Sequence, residues 1–269
     1  MPIRANALVV MAKAPIPGSV KTRLMPVFSA AQAATLARAL LVDQLQHLRA
    51  FRDANLYLAF TPAHARRLIR RLAPPRCEIF AQSGADLGAR MQHIFATLFA
   101  AGHRRIVLIG GDLPPVPLRY LTQAFTYLDG KKFPAQPRLT KHVMSGVQET
   151  KRGGFDGAQQ RAVLGPSSDG GYYLIGLNRE QPALFDRMTW SHDRVLAQAL
   201  EKLDASGVRS KQLRPWFDVD TVDDVQRLLL LRGASKNAMK NTLSLLHRRP
   251  ILTLRSRPQK SARKRLRIH

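Results

Sequence analysis

The stretch AVLGPSSDGGYYLIGL, residues Ala162 to Leu177, decides how the fold is read. Its flanks, Ala162 to Leu164 and Tyr172 to Leu177, are rich in Val, Ile, Leu and Tyr, as strands are, and Gly165, Pro166, Gly170 and Gly171 punctuate them. The chain is therefore expected to enter and leave a sheet here. Asp169 stands beside two residues without side chains, so a ligand could approach the backbone closely while the carboxylate meets a hydroxyl or a metal. Taken alone, the same residues also suit a hairpin whose DGG only satisfies turn geometry. The neighbouring segments decide between the two.

Upstream, apolar runs alternate with helical patterns. ALVVMA (Ala7 to Ala12) reads as a buried strand and leads into a loop, KAPIPGSVKTRLMP, with three prolines and three cations. From Ser29 the pattern turns helical, because Ser29 and Gln32 form a capping-box pair and Leu36, Leu40, Leu41, Leu45 and Leu48 repeat at helical spacing. That helix is expected to lay one face on a sheet. NLYLAF (Asn55 to Phe60), CEIFAQ (Cys77 to Gln82) and RIVLIG (Arg105 to Gly110) are three more strands. A helix from Thr61 and Pro62 to about Leu72 separates the first two, and a helix opened by GADLGAR (Gly84 to Arg90) precedes the third. Strand and helix in alternation indicate a three-layer α/β domain with a mostly parallel sheet.

Between about 130 and 160 the periodicity fails, and the segment reads as a surface insertion. Downstream of the organising turn, Ser191 to Ala205 reads as a helix and Val208 to Leu213 as a strand. FDVDTVDDV (Phe217 to Val225) then closes the body, with Thr221 and Asp224 as a second capping box. The domain is expected to occupy residues 1–233. The basic remainder, 234–269, is expected to hold at most a short amphipathic piece near Met239 to Leu246 and no stable core.

Charge supports that division. The 269 residues carry a net charge of +25, and after Asp224 there are thirteen Lys or Arg and no acid, which leaves +12 on residues 1 to 224. A moderately basic body suits phosphorylated ligands, while the end is a basic tail suited to weak, salt-sensitive binding of polyanions. One cysteine, Cys77, allows neither a disulfide framework nor a cysteine-based zinc site, and this usage fits the reducing cytoplasm. No apolar run approaches the roughly 18 residues that would cross a bilayer.

In a parallel sheet, loops that follow strand ends gather on one edge, where the ligands of open α/β folds bind. Four such loops carry chemistry. Lys13, Lys21 and Arg23 around Gly18 could neutralise a di- or triphosphate, although the spacing is not that of a Walker motif. Lys21 is expected to be an exposed loop lysine, so its removal should scarcely change stability. In GGDLPP, Asp112 directly follows a buried strand, a position suited to a Mg²⁺ or Mn²⁺ ion shared with phosphate oxygens or, alternatively, to capping the next helix. The third loop is the Asp169-Gly170-Gly171 turn. The fourth holds Asp218 and Asp220, spaced so that both carboxylates can face one side of an extended segment. Asp112 with Asp218 or Asp220 would give the few carboxylates that magnesium prefers, with their oxygens within about 5 to 7 Å. His192, at a helix start, reads as structural.

In that order, KAPIPGSVKTRL, GADLGARM, LIGGDLPPV, LGPSSDGGYYLIGL, WSHDRVLAQAL and DVDTVDD resemble a bacterial family of glycosyltransferase-like proteins in the nucleotide-diphospho-sugar transferase (GT-A) superfamily, over about residues 6 to 231. The chain is more distantly similar to 2-phospho-L-lactate guanylyltransferase and the molybdenum-cofactor guanylyltransferase. The resemblance implies the Rossmann-like GT-A fold. It also implies a cytoplasmic enzyme that moves either the sugar or the nucleotidyl group of a nucleotide sugar or nucleoside triphosphate onto a small-molecule acceptor. It further implies Lys13, Gly18, Lys21 and Arg23 at the phosphates, with Lys21 and Arg23 stabilising charge on the departing phosphate. Asp112, Asp218 and Asp220 would hold Mg²⁺ or Mn²⁺, and Asp169, Gly170 and Gly171 would lie beside the sugar or acceptor. Ser167 and Ser168 depart from the pattern, which has Ala and Glu there. A non-catalytic polyanion-binding protein on the same fold is the reading from another class.

Overall fold

A computed structural model of the protein describes residues 2–25, 27–131 and 159–247. Seven strands form one sheet: β1 (Asn6–Lys13), β2 (Asn55–Thr61), β3 (Cys77–Ala81), β4 (Arg105–Gly110), β5 (Arg161–Pro166), β6 (Tyr172–Leu177) and β7 (Arg209–Gln212), in the order β3-β2-β1-β4-β6-β5-β7. Every neighbouring pair is parallel except β4 with β6 and β5 with β6, so β6 alone runs against the rest. The organising stretch is thus a hairpin within a parallel sheet, with a register shift between Gly165 and Pro166.

β1 lies inside the sheet between β2 and β4 with Ala7 to Val10 fully buried, and alternate residues face two different cores. Leu8 and Val10 pack with α1 (Ala30–Leu48), α2 (Arg66–Leu72) and α4 (Leu118–Leu128) on one face. Ala7 and Val9 pack with α3 (Leu87–Ala100), α5 (Pro182–Phe185) and α6 (Val195–Ala205) on the other. This is the three-layer arrangement that the alternating pattern indicates. Both capping boxes are formed, at Ser29 with Gln32 and at Thr221 with Asp224. The helix read from Ser191 begins later, at Val195, after a turn in which Ser191 takes a positive φ.

Two expectations are corrected. α1 does not bury one face only: Leu41, Leu45 and Leu48 meet the sheet, while Ala33, Leu36 and Leu40 enter a third core with Leu24, Phe28, Phe217 and α7 (Val222–Leu229). That second face needs cover, and the chain beyond residue 233 supplies it. α8 (Gly233–Asn237) and α9 (Lys240–His247) fold onto α1, with Met239 and Leu246 buried. The packed body therefore continues to His247, not 233. Asp43, wholly buried on α1, accepts hydrogen bonds from Asn241 N at 3.0 Å, Asn241 Nδ2 at 2.7 Å and Thr242 N at 2.8 Å. It caps a helix 198 positions away in sequence and satisfies N–H groups that have no partner within α9. The rest of the expected tail, 248–269, and most of the expected insertion, 132–158, lie outside the described residues.

Asp43→Ala leaves those donors buried without an acceptor. It should cost about 1.5 to 3 kcal/mol, measured by urea unfolding, and should loosen α9 first, seen as loss of amide protection from Asn241 onward.

Candidate functional site

Because β6 alone is reversed, the ends of β1, β4, β5 and β7 and the start of β6 share one edge of the sheet. The register sets Met11 beside Gly110, so Lys13 and Asp112 leave the sheet at the same level, two residues further on. The segment after β7 is laced along this edge: Leu213 N bonds Leu164 O, Trp216 N bonds Pro166 O, Trp216 Nε1 donates to Pro114 O, and Val219 N bonds Asp112 O at 3.3 Å. These contacts carry Asp218 and Asp220 back to the Asp112 loop.

Lys21 is the centre of the site. Its Nζ lies 2.9 Å from Asp112 Oδ2 and 2.9 Å from Asp220 Oδ1, so the two carboxylate oxygens are no more than twice that distance apart. The 3% exposure of the Lys21 side chain corrects the expectation of an exposed loop lysine. Its backbone sits in the left-handed region (φ 51°) at the head of a short 3-10 helix, Thr22–Leu24, a conformation that costs a non-glycine residue about 1 kcal/mol or more. Gly18, with φ 81° and open space around it, turns the loop back toward Asp112 and Asp220. Burial by itself would lower the Lys21 pKa, but the two carboxylates outweigh it and hold the ammonium above its ordinary value. Burial likewise pushes Asp112 upward, and the Lys21 charge reverses this and holds the acid below the usual range. Arg23, exposed, lies 3.6 Å from Asp220 Oδ2.

Asp218 differs. Its Oδ2 accepts from the Ser167 hydroxyl at 2.6 Å. Burial, then the charge on Asp112, push its pKa up to about 7, with Asp169 adding and Ser167 and Lys21 opposing. Ser167 is a site residue that sequence reasoning noted only as a departure from pattern; its signal was two hydroxyls in a turn flanked by apolar strands. Asp112 does not cap the next helix: α4 begins after Pro117 with no side-chain cap.

The DGG turn corrects another expectation. At Gly170 (φ 86°) a Cβ would stand 2.0 Å from Asp193 O, and Leu196 N donates to Gly170 O at 3.0 Å, so the close approach here is made by the protein's own backbone rather than by a ligand. Asp169 Oδ1 accepts from Gly171 N at 3.0 Å, an Asx turn that leaves its second oxygen for other partners. Lys13 is exposed at the end of β1. His192 bonds within its own turn, to Thr189 and Arg194 N, as a structural residue does.

Asp112 and Asp220 thus converge on one cation position, and the charges of Asp112, Asp169 and Lys21 act on neighbouring Asp218. No group of three His, Cys, Asp or Glu among the described residues is gathered tightly enough to hold a metal by itself. The donor set fits an ion held by two carboxylates and completed by oxygens from elsewhere.

A family model described as an uncharacterized protein conserved in bacteria (DUF2064) matches residues 44–145 and 156–192. The chain belongs to that family. The crystal structure of a candidate nucleotide-diphospho-sugar transferase from Desulfovibrio desulfuricans G20 is 29% identical, covers 91% of this chain and 98% of its own, and superposes with a TM-score of 0.71. The 4-diphosphocytidyl-2C-methyl-D-erythritol synthase from Anaerococcus prevotii DSM 20548 is 7% identical, with 83% and 96% covered and a TM-score of 0.49. No curated protein matches the chain. The first of these structures extends the fold to a relative over nearly its whole length. Among the described residues no helix is long and apolar enough to cross a membrane.

Two outcomes follow from this geometry. Lys21→Ala leaves two part-exposed carboxylates without their counter-charge and should cost about 1 to 2 kcal/mol in urea unfolding, whereas Arg23→Ala should be close to neutral. In metal-free protein the folded state keeps a proton on Asp218 that the unfolded chain releases near pH 4. Asp218 therefore contributes stability that is fully present below pH 4 and is lost as pH rises to about 7, and Asp218→Asn should flatten that fall in a pH series of thermal unfolding.

Proposed function

We propose that the protein is a metal-dependent transferase that uses a nucleotide-activated donor, and that the group it moves is the sugar of a nucleotide-diphospho-sugar. The observation that carries this reading is the single cation position between Asp112 and Asp220, at the end of the central strands and under a cationic loop. The relative from Desulfovibrio, described as a candidate for the same class, supports it.

In this reading Asp112 and Asp220, with Asp218 beside them, hold Mg²⁺ or Mn²⁺. When bound, the ion would supply charge neutralisation at the donor's phosphates. Lys21, Lys13 and Arg23 are the cations of this loop that would meet the donor's phosphates. Charge on the departing nucleoside diphosphate is met by these cations, so the chain contributes by positioning and electrostatics, without a covalent intermediate. Ser167 keeps Asp218 turned toward the hairpin, and Asp169 offers its free oxygen to a sugar or acceptor hydroxyl.

A thermal-shift panel of nucleotide sugars and nucleoside triphosphates, each with EDTA or Mn²⁺, tests this. One nucleotide sugar should stabilise the protein only with Mn²⁺, by roughly 2.7 kcal/mol at 100 times its dissociation constant. Asp112→Asn should abolish the Mn²⁺-dependent part. A response confined to nucleoside triphosphates would reassign the reaction to nucleotidyl transfer, and no response to any nucleotide would overturn the proposal.

A further inference from the structure

The edge of the sheet opposite the candidate site carries a recess of about 660 Å³, within the roughly 300 to 1,000 Å³ of small-molecule sites. Three separate parts of the chain build it: the segment before β1, the loop between α1 and β2, and the loop between α2 and β3. Leu48 and Phe51 are among its apolar lining, and each part contributes arginine: Arg4, Arg49 with Arg52, and Arg76. Among the described residues no carboxylate lines it. Among the described residues none of these four guanidiniums has an ion-pair partner, and the adjacent Asp53 is exposed and pairs with none of them.

A second recess on the same edge serves as an internal comparison. It too is lined by arginines, but Asp129 and Glu180 stand among them, and Arg105 is paired with Asp129. Two acids there offset part of the arginine charge. Arg49 has a second reason for its position, since it follows the carbonyl end of α1 and complements the helix dipole. Among the described residues the side chains of Arg4, Arg52 and Arg76 have no hydrogen-bond or ion-pair partner.

The recess is also held in shape. Arg4 N donates to Asn55 Oδ1 at 2.7 Å, Asn55 Nδ2 to Pro2 O at 3.2 Å, and His103 Nδ1 to Arg4 O at 2.7 Å, while Asn55 and His103 are buried. Arg76 is fixed at φ 66°, a conformation that disfavours arginine and suits glycine. Beside it, α2 adds Arg66, Arg67, Arg70 and Arg71. At 100° per residue these four fall on one continuous arc opposite buried Ile69 and Leu72, and all four are exposed. The field at this corner is strongly positive.

We propose that this recess binds an anion carrying at least two linked phosphates, at a site separate from the one that Lys21 organises. Four exposed guanidinium forks around a recess open to solvent match the several tetrahedral oxygens of such a group, whereas a single carboxylate would leave most of the cations uncompensated. The fixed backbone lowers the ordering cost of binding. Contacts of this kind are weakened by salt.

The test is calorimetric titration of the full chain with inorganic tripolyphosphate at low salt and without metal, comparing wild type with Arg52→Gln/Arg76→Gly. Glycine takes φ 66° freely, so the double variant should melt no lower than wild type. It should lose one equivalent of bound tripolyphosphate, or bind it at least tenfold more weakly. Arg38→Gln/Arg232→Gln, with the same change in net charge away from the recess, should bind as wild type does. No binding by wild type, equal binding by wild type and the recess variant, or equal losses in both variants would overturn the proposal. A single-stranded oligonucleotide weakened by the recess substitutions while tripolyphosphate is not would also overturn it, in favour of an extended nucleic-acid surface.

Discussion

A parallel pair of strands cannot be closed by a tight turn, and this constraint shapes the whole molecule. β1 is parallel to both of its neighbours, so the chain must cross a face of the sheet after each strand. The helices are thereby forced onto the two faces, and the loops that follow the parallel strands fall on one edge. Reversing β6 adds the start of one further strand to that edge and sets a hairpin beside Asp112. The site is a consequence of connectivity before it is one of side-chain chemistry.

Within that edge, a buried lysine between two carboxylates does what a bound ion would do in its place. Like charges close together in a sheltered site repel strongly, and Lys21 offsets the repulsion between Asp112 and Asp220. Asp218 has no such partner; a serine hydroxyl is its direct contact, and its pKa rises where that of Asp112 falls. Neighbouring acids of one chemical type are thus held in different protonation regimes by what each one touches. The left-handed backbone at Lys21 shows that the loop is strained to deliver the ammonium there.

The opposite edge is organised by the same topology. Helix ends and strand starts meet there, and buried Asn55 and His103 anchor the first residues of the chain against them. Farther out, α1 is enclosed on both sides, which ties residues 233–247 to the body through Asp43. One helix therefore links the sheet core to the last described segment of the chain.

Local pattern was sufficient for much of this. Apolar runs of strand length separated by capped amphipathic helices specify a parallel three-layer fold, and both capping boxes were visible as pairs three residues apart. The acids and cations of the site were legible because each directly follows a strand or precedes a helix. What required the tertiary structure were relations between residues far apart in sequence. Lys21 reads as an exposed loop cation until Asp112 and Asp220, 91 and 199 positions away, close over it. Gly170 reads as room for a ligand until Asp193 fills that room. Residues 234–247 read as a basic tail because their few apolar side chains cannot form a core alone; they fold because α1 presents a second apolar face and a buried carboxylate. Periodicity reports which residues seek burial, and only the packed chain decides what buries them.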